Sequence, residues 1–136
     1  MSQENVDFMR EAFQAFGGED PTALAGLLDP EVEWRALEDT GPQHGLEGVF
    51  QSLGAWYEVW DEMHIELEEL IDAGSDVVAV VRMRGRHAGS QTEVAERFFQ
   101  IWSISDGKIV RFHEYRTRHE ALEAVGLSEQ DAHADS

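Results

Sequence analysis

The chain has 136 residues, of which 28 are acidic, ten are basic and none is cysteine, for a formal net charge of −18. That length holds one compact domain and not two, and so anionic a surface repels phosphate backbones and acidic lipid headgroups, which argues against nucleic-acid and membrane partners. A hydrophobic fraction of 42% with seven Phe and four Trp can fill a core, and the lack of Cys excludes disulfides, thiolate metal sites and thiol nucleophiles.

The N-terminal residues 1–9 offer neither a basic region nor an apolar run of the kind that directs secretion, so the expected location is cytoplasmic. Val6, Met9, Phe13 and Phe16 then recur at spacings of three and four, the stripe of an amphipathic helix ended by Gly17 and Gly18. Asp20 followed by Pro21 opens a second, short helix that Asp29 and Pro30 stop. Residues 31–36 alternate, with Val32 and Trp34 on one side and Glu31, Glu33 and Arg35 on the other, as in a half-buried strand. A polar loop over 39–45 leads into a third helix over 46–60, whose apolar stripe is Val49, Leu53, Trp56 and Trp60, with Phe50 and Tyr57 beside it.

Beyond Asp61 the period falls to two. Ile65, Leu67 and Ile71 lead into a turn at 73–75, and Val77, Ala79, Val81 and Met83 lead out, which as a hairpin sets Glu66 and Glu68 against Arg82 and Arg84 and Leu67 beside Val81. A further strand over 94–104 turns at Ser105, Asp106 and Gly107, where glycine fits a type I turn with a G1 bulge, and returns over 108–116. This register collects Phe98, Gln100, Trp102, Val110, Phe112 and Glu114 on one face, and Arg97, Phe99, Ile101, Arg111, His113 and Tyr115 on the other. A short helix over 120–125 ends at Gly126. The organisation expected is one domain over 1–127 and an acidic, disordered tail over 128–136.

Three helices before and between strands, then a long meander, define an α+β domain: a curved antiparallel sheet with helices on its concave face. The element order, the run from Pro30 through Trp34, the loop ending His44, Gly45, Leu46, Glu47, Gly48, and above all the run from Asp106 through Tyr115 resemble the SnoaL-like family of the nuclear transport factor 2-like superfamily. The resemblance implies a cone with a central pocket, the ketosteroid isomerase-like (cystatin-like) fold. It also implies a cofactor-free isomerase, cyclase, dehydratase or hydrolase acting through a pocket carboxylate on an apolar or aromatic metabolite. Because one fold hosts many activities, a non-catalytic ligand carrier and a dimeric protein-interaction domain stand as alternatives. Many members dimerise through the outer sheet face, and Phe99, Ile101 and Tyr115 fall on that face here, so a homodimer is expected to cover them; the competing reading is that the C-terminal segment folds over them.

Within this frame Glu114 is the candidate catalytic carboxylate. It shares a face with Phe98, Trp102 and Phe112, and it matches the acid that the superfamily's epoxide hydrolases use to activate water. Pairing with Arg116 at an open strand end is the alternative. Glu96, on the same face, could share a proton with Glu114 or simply pair with Arg116. His44 precedes the third helix, where relatives often place a polar side chain at the pocket. Trp34, Trp56, Tyr57, Met83, Phe98, Gln100 and Phe112 are the expected ligand-lining residues, suited to a flat apolar or aromatic compound. The steroid isomerases' first-helix tyrosine and first-strand aspartate have no counterpart, since Trp34 stands near the latter's place. The epoxide hydrolases' Arg-x-Asp positions look like Val81 and Met83. No cofactor is implied, and the six histidines show neither HxH nor HExxH spacing for a metal.

The charge is uneven. Residues 1–76 hold nineteen of the 28 acids and only Arg10 and Arg35 among the bases, whereas Arg82, Arg84 and Arg86 alternate along one strand.

Overall fold

The computed structural model describes residues 2–16, 24–37 and 43–129. Helix α1 (Ser2–Phe16) forms on the expected stripe: Val6 and Met9 are completely buried, Ala12 nearly so, and Phe13 packs against the same cluster. Its expected stop at Gly17 and Gly18, the start of the second helix at Asp20, most of the loop before His44 and most of the acidic tail lie outside the described residues. Leu24 and Ala25 are helical and turn at once into strand β1 (Leu28–Arg35).

After a two-residue strand β2 (Gln43–His44) comes helix α2 (Gly45–Glu58), which buries Val49 and Ser52 against the sheet. The helix ends before Trp60, which instead begins strand β3 (Trp60–Ala73). Strands β4 (Asp76–His87), β5 (Glu93–Ser105) and β6 (Lys108–Tyr115) complete the meander, and helix α3 (Arg118–Ala124) follows.

The six strands form one curved, unclosed sheet in the order β2-β1-β6-β5-β4-β3. The sheet is mixed where an antiparallel one was expected: β1 runs parallel to β6, with Trp34 opposite Phe112 and Arg35 opposite His113. About eighty residues separate these partners, so no local pattern announces the pairing. It is what brings Trp34 and Ala36 to the inner face beside Phe112 and Glu114.

Two bulges set the faces. In the β3/β4 hairpin Glu66 opposes Arg82 and Leu67 opposes Val81, but the register slips between Leu67 and Glu69. The extra residue, Glu68, turns Leu70 inward and Ile71 outward, so Ile71 leaves the face of Ile65 and Leu67 on which the alternation had placed it. Arg84 opposes His64 and bonds Glu66 diagonally at 2.9 Å, while Glu68 reaches across to Arg97 on β5 at 2.6 Å. In the β5/β6 hairpin the turn is two residues, Asp106 and Gly107, both at positive φ (51° and 72°), as a type I′ turn requires. Such a turn alone would swap the partner faces, but a bulge between Ser103 and Ile104 swaps them back, so Gln100 still opposes Glu114 and Trp102 opposes Phe112. The extra residue is Val110, and Ile109 takes the core place expected for it.

On the concave face α1 and α2 enclose Trp34, Trp102, Phe112, Val77 and Ala79. On the convex face the structure corrects the basis for a dimer. Helix α3 lies over Ile71, Val78 and Ile101 with its own Ala121 and Leu122 buried, and Phe99 and Tyr115 pack against this cluster. The sequence builds α3 to dock there: Thr117 caps it by accepting from the Glu120 N–H, and Gly126 (φ 76°) closes its end. Arg118 then ties it to Glu69 of β3 at 2.6 Å.

Candidate functional site

The site grows from residue parity on four strands. On β6, Phe112 and Glu114 both face inward because they are two apart. On β5 the same holds for Gln100 and Trp102, and on β4 for Val81 and Met83; on β1, Trp34 and Ala36 arrive through the parallel pairing. Helix α2 closes the space with Ser52, Leu53, Trp56 and Tyr57, α1 adds Phe13, and β3 adds Met63 and Ile65. Together they line an inner cavity with about 80 Å³ of water-accessible space. At roughly 10–15 Å³ for each water centre, and about 30 Å³ of liquid for each water, this matches a compound of one or two rings.

Glu114 is the one carboxylate among the described lining residues of this cavity. Its Oε2 accepts from Gln100 Nε2 at 2.9 Å, and its Oε1 accepts from the Leu37 backbone N–H at 3.3 Å. Gln100 is buried, and its Oε1 accepts from Trp102 Nε1 at 3.1 Å. The indole edge of Trp56 is spent on Met63 Sδ at 3.2 Å. The aromatic rings interlock: Trp34 stacks on Phe112 with centroids 4.1 Å apart and meets Trp102 edge-on at 5.7 Å. Such contacts fix ring orientation as well as fill volume.

A wider vestibule of about 720 Å³ adjoins the inner cavity and shares Ala36, Ser52 and Trp56 with it. Its wall is more polar, with Glu58, His87, Glu96 and Arg116. A third groove, lined by Arg35, Leu37, His113 and Arg116 among others, meets the inner cavity at Ala36 and Glu114.

Trp34, Trp56, Tyr57, Met83, Gln100, Phe112 and Glu114 are thus brought together around the inner cavity. Phe98 stands one layer back, buried and edge-on to Trp56 at 5.6 Å. Glu96 opposes Met83 on β4, is exposed, and lines the vestibule rather than the cavity of Glu114. His44 lies elsewhere: strand pairing sets β2 against β1, so His44 opposes Glu33 and its ring stands 3.7 Å from that carboxylate, largely exposed. Glu33 also bonds His113 on the same side of the sheet. Among the residues not anticipated are Ser52 and Met63, and Ala36 and Leu37, which depend on the β1/β6 register; the place of Trp102 inward was legible, but the partner of its N–H was not. Among the described residues, no group of three or more His, Cys, Asp or Glu is placed to hold a metal ion, and no helix is long and apolar enough to cross a membrane.

An α+β cone with a curved, unclosed sheet is the fold that the sequence resemblance implies. The chain belongs to the SnoaL-like domain family, whose model matches residues 9–112. It is similar in structure to a nuclear transport factor 2-like protein of unknown function from Burkholderia pseudomallei K96243, with 21% identity, 90% of this chain and 97% of that chain covered, and a TM-score of 0.73. It is also similar to TerC co-crystallised with polyporic acid (21% identity, 89% and 97% covered, TM-score 0.71). A third similar structure is a protein of ketosteroid isomerase-like fold from Catenulispora acidiphila DSM 44928 in complex with trimethylamine (17% identity, 87% and 94% covered, TM-score 0.68). No curated protein matches the chain.

Proposed function

We propose that this chain binds a small apolar or aromatic metabolite in the inner cavity, and that Glu114 acts on it as a general base in a cofactor-free proton transfer. That step is common to isomerisation, cyclisation, dehydration and hydration. The observation that carries the reading is the polarity of the chain Trp102–Gln100–Glu114. An indole N–H can only donate, so the Gln100 atom facing Trp102 is the amide oxygen and the atom facing Glu114 is the amide nitrogen. Glu114 therefore accepts from both Gln100 and Leu37, leaving its oxygens arranged to take a proton rather than to give one. The similar folds that hold polyporic acid and trimethylamine support a small molecule as the cone's occupant. In this reading Glu96, at the vestibule, and His44, outside the cavity lining, carry no step.

The test begins with a thermal-shift screen of one- and two-ring compounds. Deuterium exchange from solvent into the carbon acids of each stabilising compound is then followed by NMR. The expected result is exchange catalysed by the native chain and slowed roughly 100-fold or more in Glu114→Gln, with the compound's affinity retained. Equal exchange rates in the two chains overturn the role of Glu114.

A further inference from the structure

Glu114 stands between two hollows that differ in kind. It lines the inner cavity and the groove, and it does not line the vestibule. Its two oxygens divide the same way. Oε2 is bonded to Gln100, which lines the inner cavity and not the groove, and Oε1 to the N–H of Leu37, which lines the groove and not the inner cavity. The groove has about 290 Å³ of water-accessible space and a polar wall that includes Arg35, His113, Tyr115 and Glu120, which suits it to hold water. The vestibule is the wider space, at about 720 Å³, and it meets the inner cavity at Ser52 and Trp56 as well as Ala36. Ala55, Val59, Trp60 and Ala88 make part of its wall apolar, which suits it to pass an apolar compound. A ring that fills the inner cavity stands between the water of the vestibule and Glu114, whereas the groove still opens on the carboxylate.

We propose that the cone has separate doors for ligand and proton: the compound enters the inner cavity from the vestibule, and the proton that Glu114 takes from it leaves to water through the groove while the compound stays bound. This rests on Glu114 being the base, and it adds the route that its proton follows. In each event a C–H bond of the ligand breaks and an O–H bond forms on Glu114, with the electron pair left on the ligand as its enolate. The carboxylic acid then passes the proton to a water in the groove, which becomes hydronium, and the carboxylate is restored. In heavy water it next accepts a deuteron by the same route and returns it to the carbon. A base cut off from water can only give back the proton it took, so the groove sets how fast the bound compound exchanges.

The test follows deuterium exchange beside the carbonyl of 1-tetralone in heavy water by NMR, with the full chain saturated by the ketone; its association rate is measured separately from NMR line shapes. Of the three hollows, Arg35 and Glu120 line the groove alone and Ala55 the vestibule alone, and all three residues are exposed, so larger side chains there spare the core. Arg35→Trp and Glu120→Trp are each expected to slow exchange at saturation about tenfold, with affinity for the ketone within about twofold of the native chain. Arg35→Ala, which leaves the groove open, exchanges as the native chain does. Ala55→Trp slows association about tenfold and leaves exchange at saturation unchanged. Native exchange in both groove variants, or its loss in Ala55→Trp, overturns the proton route while leaving Glu114 as the base. Unslowed association in Ala55→Trp overturns the vestibule as the ligand's door. If the native chain catalyses no exchange beyond that of Glu114→Gln, the base itself is wrong and the route falls with it.

Discussion

Trp102 determines which way Gln100 faces. The 3.1 Å bond from the indole N–H to Gln100 Oε1 turns the amide nitrogen toward Glu114 at 2.9 Å, so a core aromatic two strands from the carboxylate's own neighbour β1 sets the hydrogen-bond sense of the site. Gln100→Leu breaks both bonds at once and leaves the Trp102 N–H buried and unmet. The expected loss is about 1–3 kcal/mol of stability in urea denaturation, together with slower exchange in bound carbon acids. Unchanged stability would mean that the relay carries no energy.

Gly85 is required by a close approach of backbones. A Cβ at this position would lie 1.9 Å from the carbonyl oxygen of Glu62, next to the irregular register between Trp60 and Glu62. Gly85→Ala is expected to cost about 3 kcal/mol or more, because the obstacle is main chain and cannot rotate away. Gly54 is the control. It sits inside α2 with nothing near the position of a Cβ, so Gly54→Ala should raise stability by roughly 0.5–1 kcal/mol. Thermal and urea unfolding of the two variants should move in opposite directions.

The inward face of β6 was legible because period-two alternation is local: Phe112 and Glu114 could be placed from neighbouring residues alone. The compensation between a two-residue turn and the bulge at Val110 was not legible, since each changes parity and only their sum appears in the faces. Glu68 and Ile71 were misplaced for the same reason, by one bulge with no compensating partner. His44 and Ala36 show the other limit. Their positions follow from β1 pairing with β2 and β6, a tertiary choice about eighty residues in span in the case of β6, which no propensity encodes. For α3, the capping residues Thr117 and Gly126 mark where a helix can begin and end, but not that it lies over Ile101.

Helix α3 packs on Phe99 and Ile101, two of the residues on which the expectation of a homodimer rested. Leu122, 1% exposed, is the larger of the two side chains that the helix buries in the outer cluster. Leu122→Ala should cost about 2–5 kcal/mol and uncover the apolar face of β5. Size-exclusion chromatography over a range of concentrations should then show association beyond that of the native chain. No change in either measurement would mean that α3 contributes little to covering this face.

Acid should weaken the convex face. The hydrogen bond from Arg97 holds the Glu68 carboxyl below the usual carboxylate range, and His64 followed by Arg86 does the same for Glu62. A folded-state value below the unfolded one means that the stabilisation is complete above the ordinary glutamate range. It is lost as pH falls through the folded value, below the ordinary glutamate range. Each pair is exposed, so the effects are small and screened by salt. Urea midpoints measured across that window should fall less steeply for Glu68→Gln than for the native chain, and the difference should shrink as salt is added. Parallel acid limbs would show that the Glu68–Arg97 pair is not coupled to folding.

Ala36 stands where the three hollows of the cone meet. It lines the inner cavity, the vestibule and the groove beside Arg35, and no other described residue lines all three. The parallel pairing of β1 with β6, which sets Arg35 opposite His113, brings it beside Glu114. Ala36→Leu adds three carbons into open space rather than into packed core, and its effect on stability should stay below about 1.5 kcal/mol. The same carbons occupy volume in a cavity of only about 80 Å³, so binding of 1-tetralone measured by calorimetry should fall at least tenfold, while Ala36→Gly retains it. A folded Ala36→Leu chain that binds the ketone as the native chain does would place the ligand away from Glu114, and the base would have to be sought in another part of the cone.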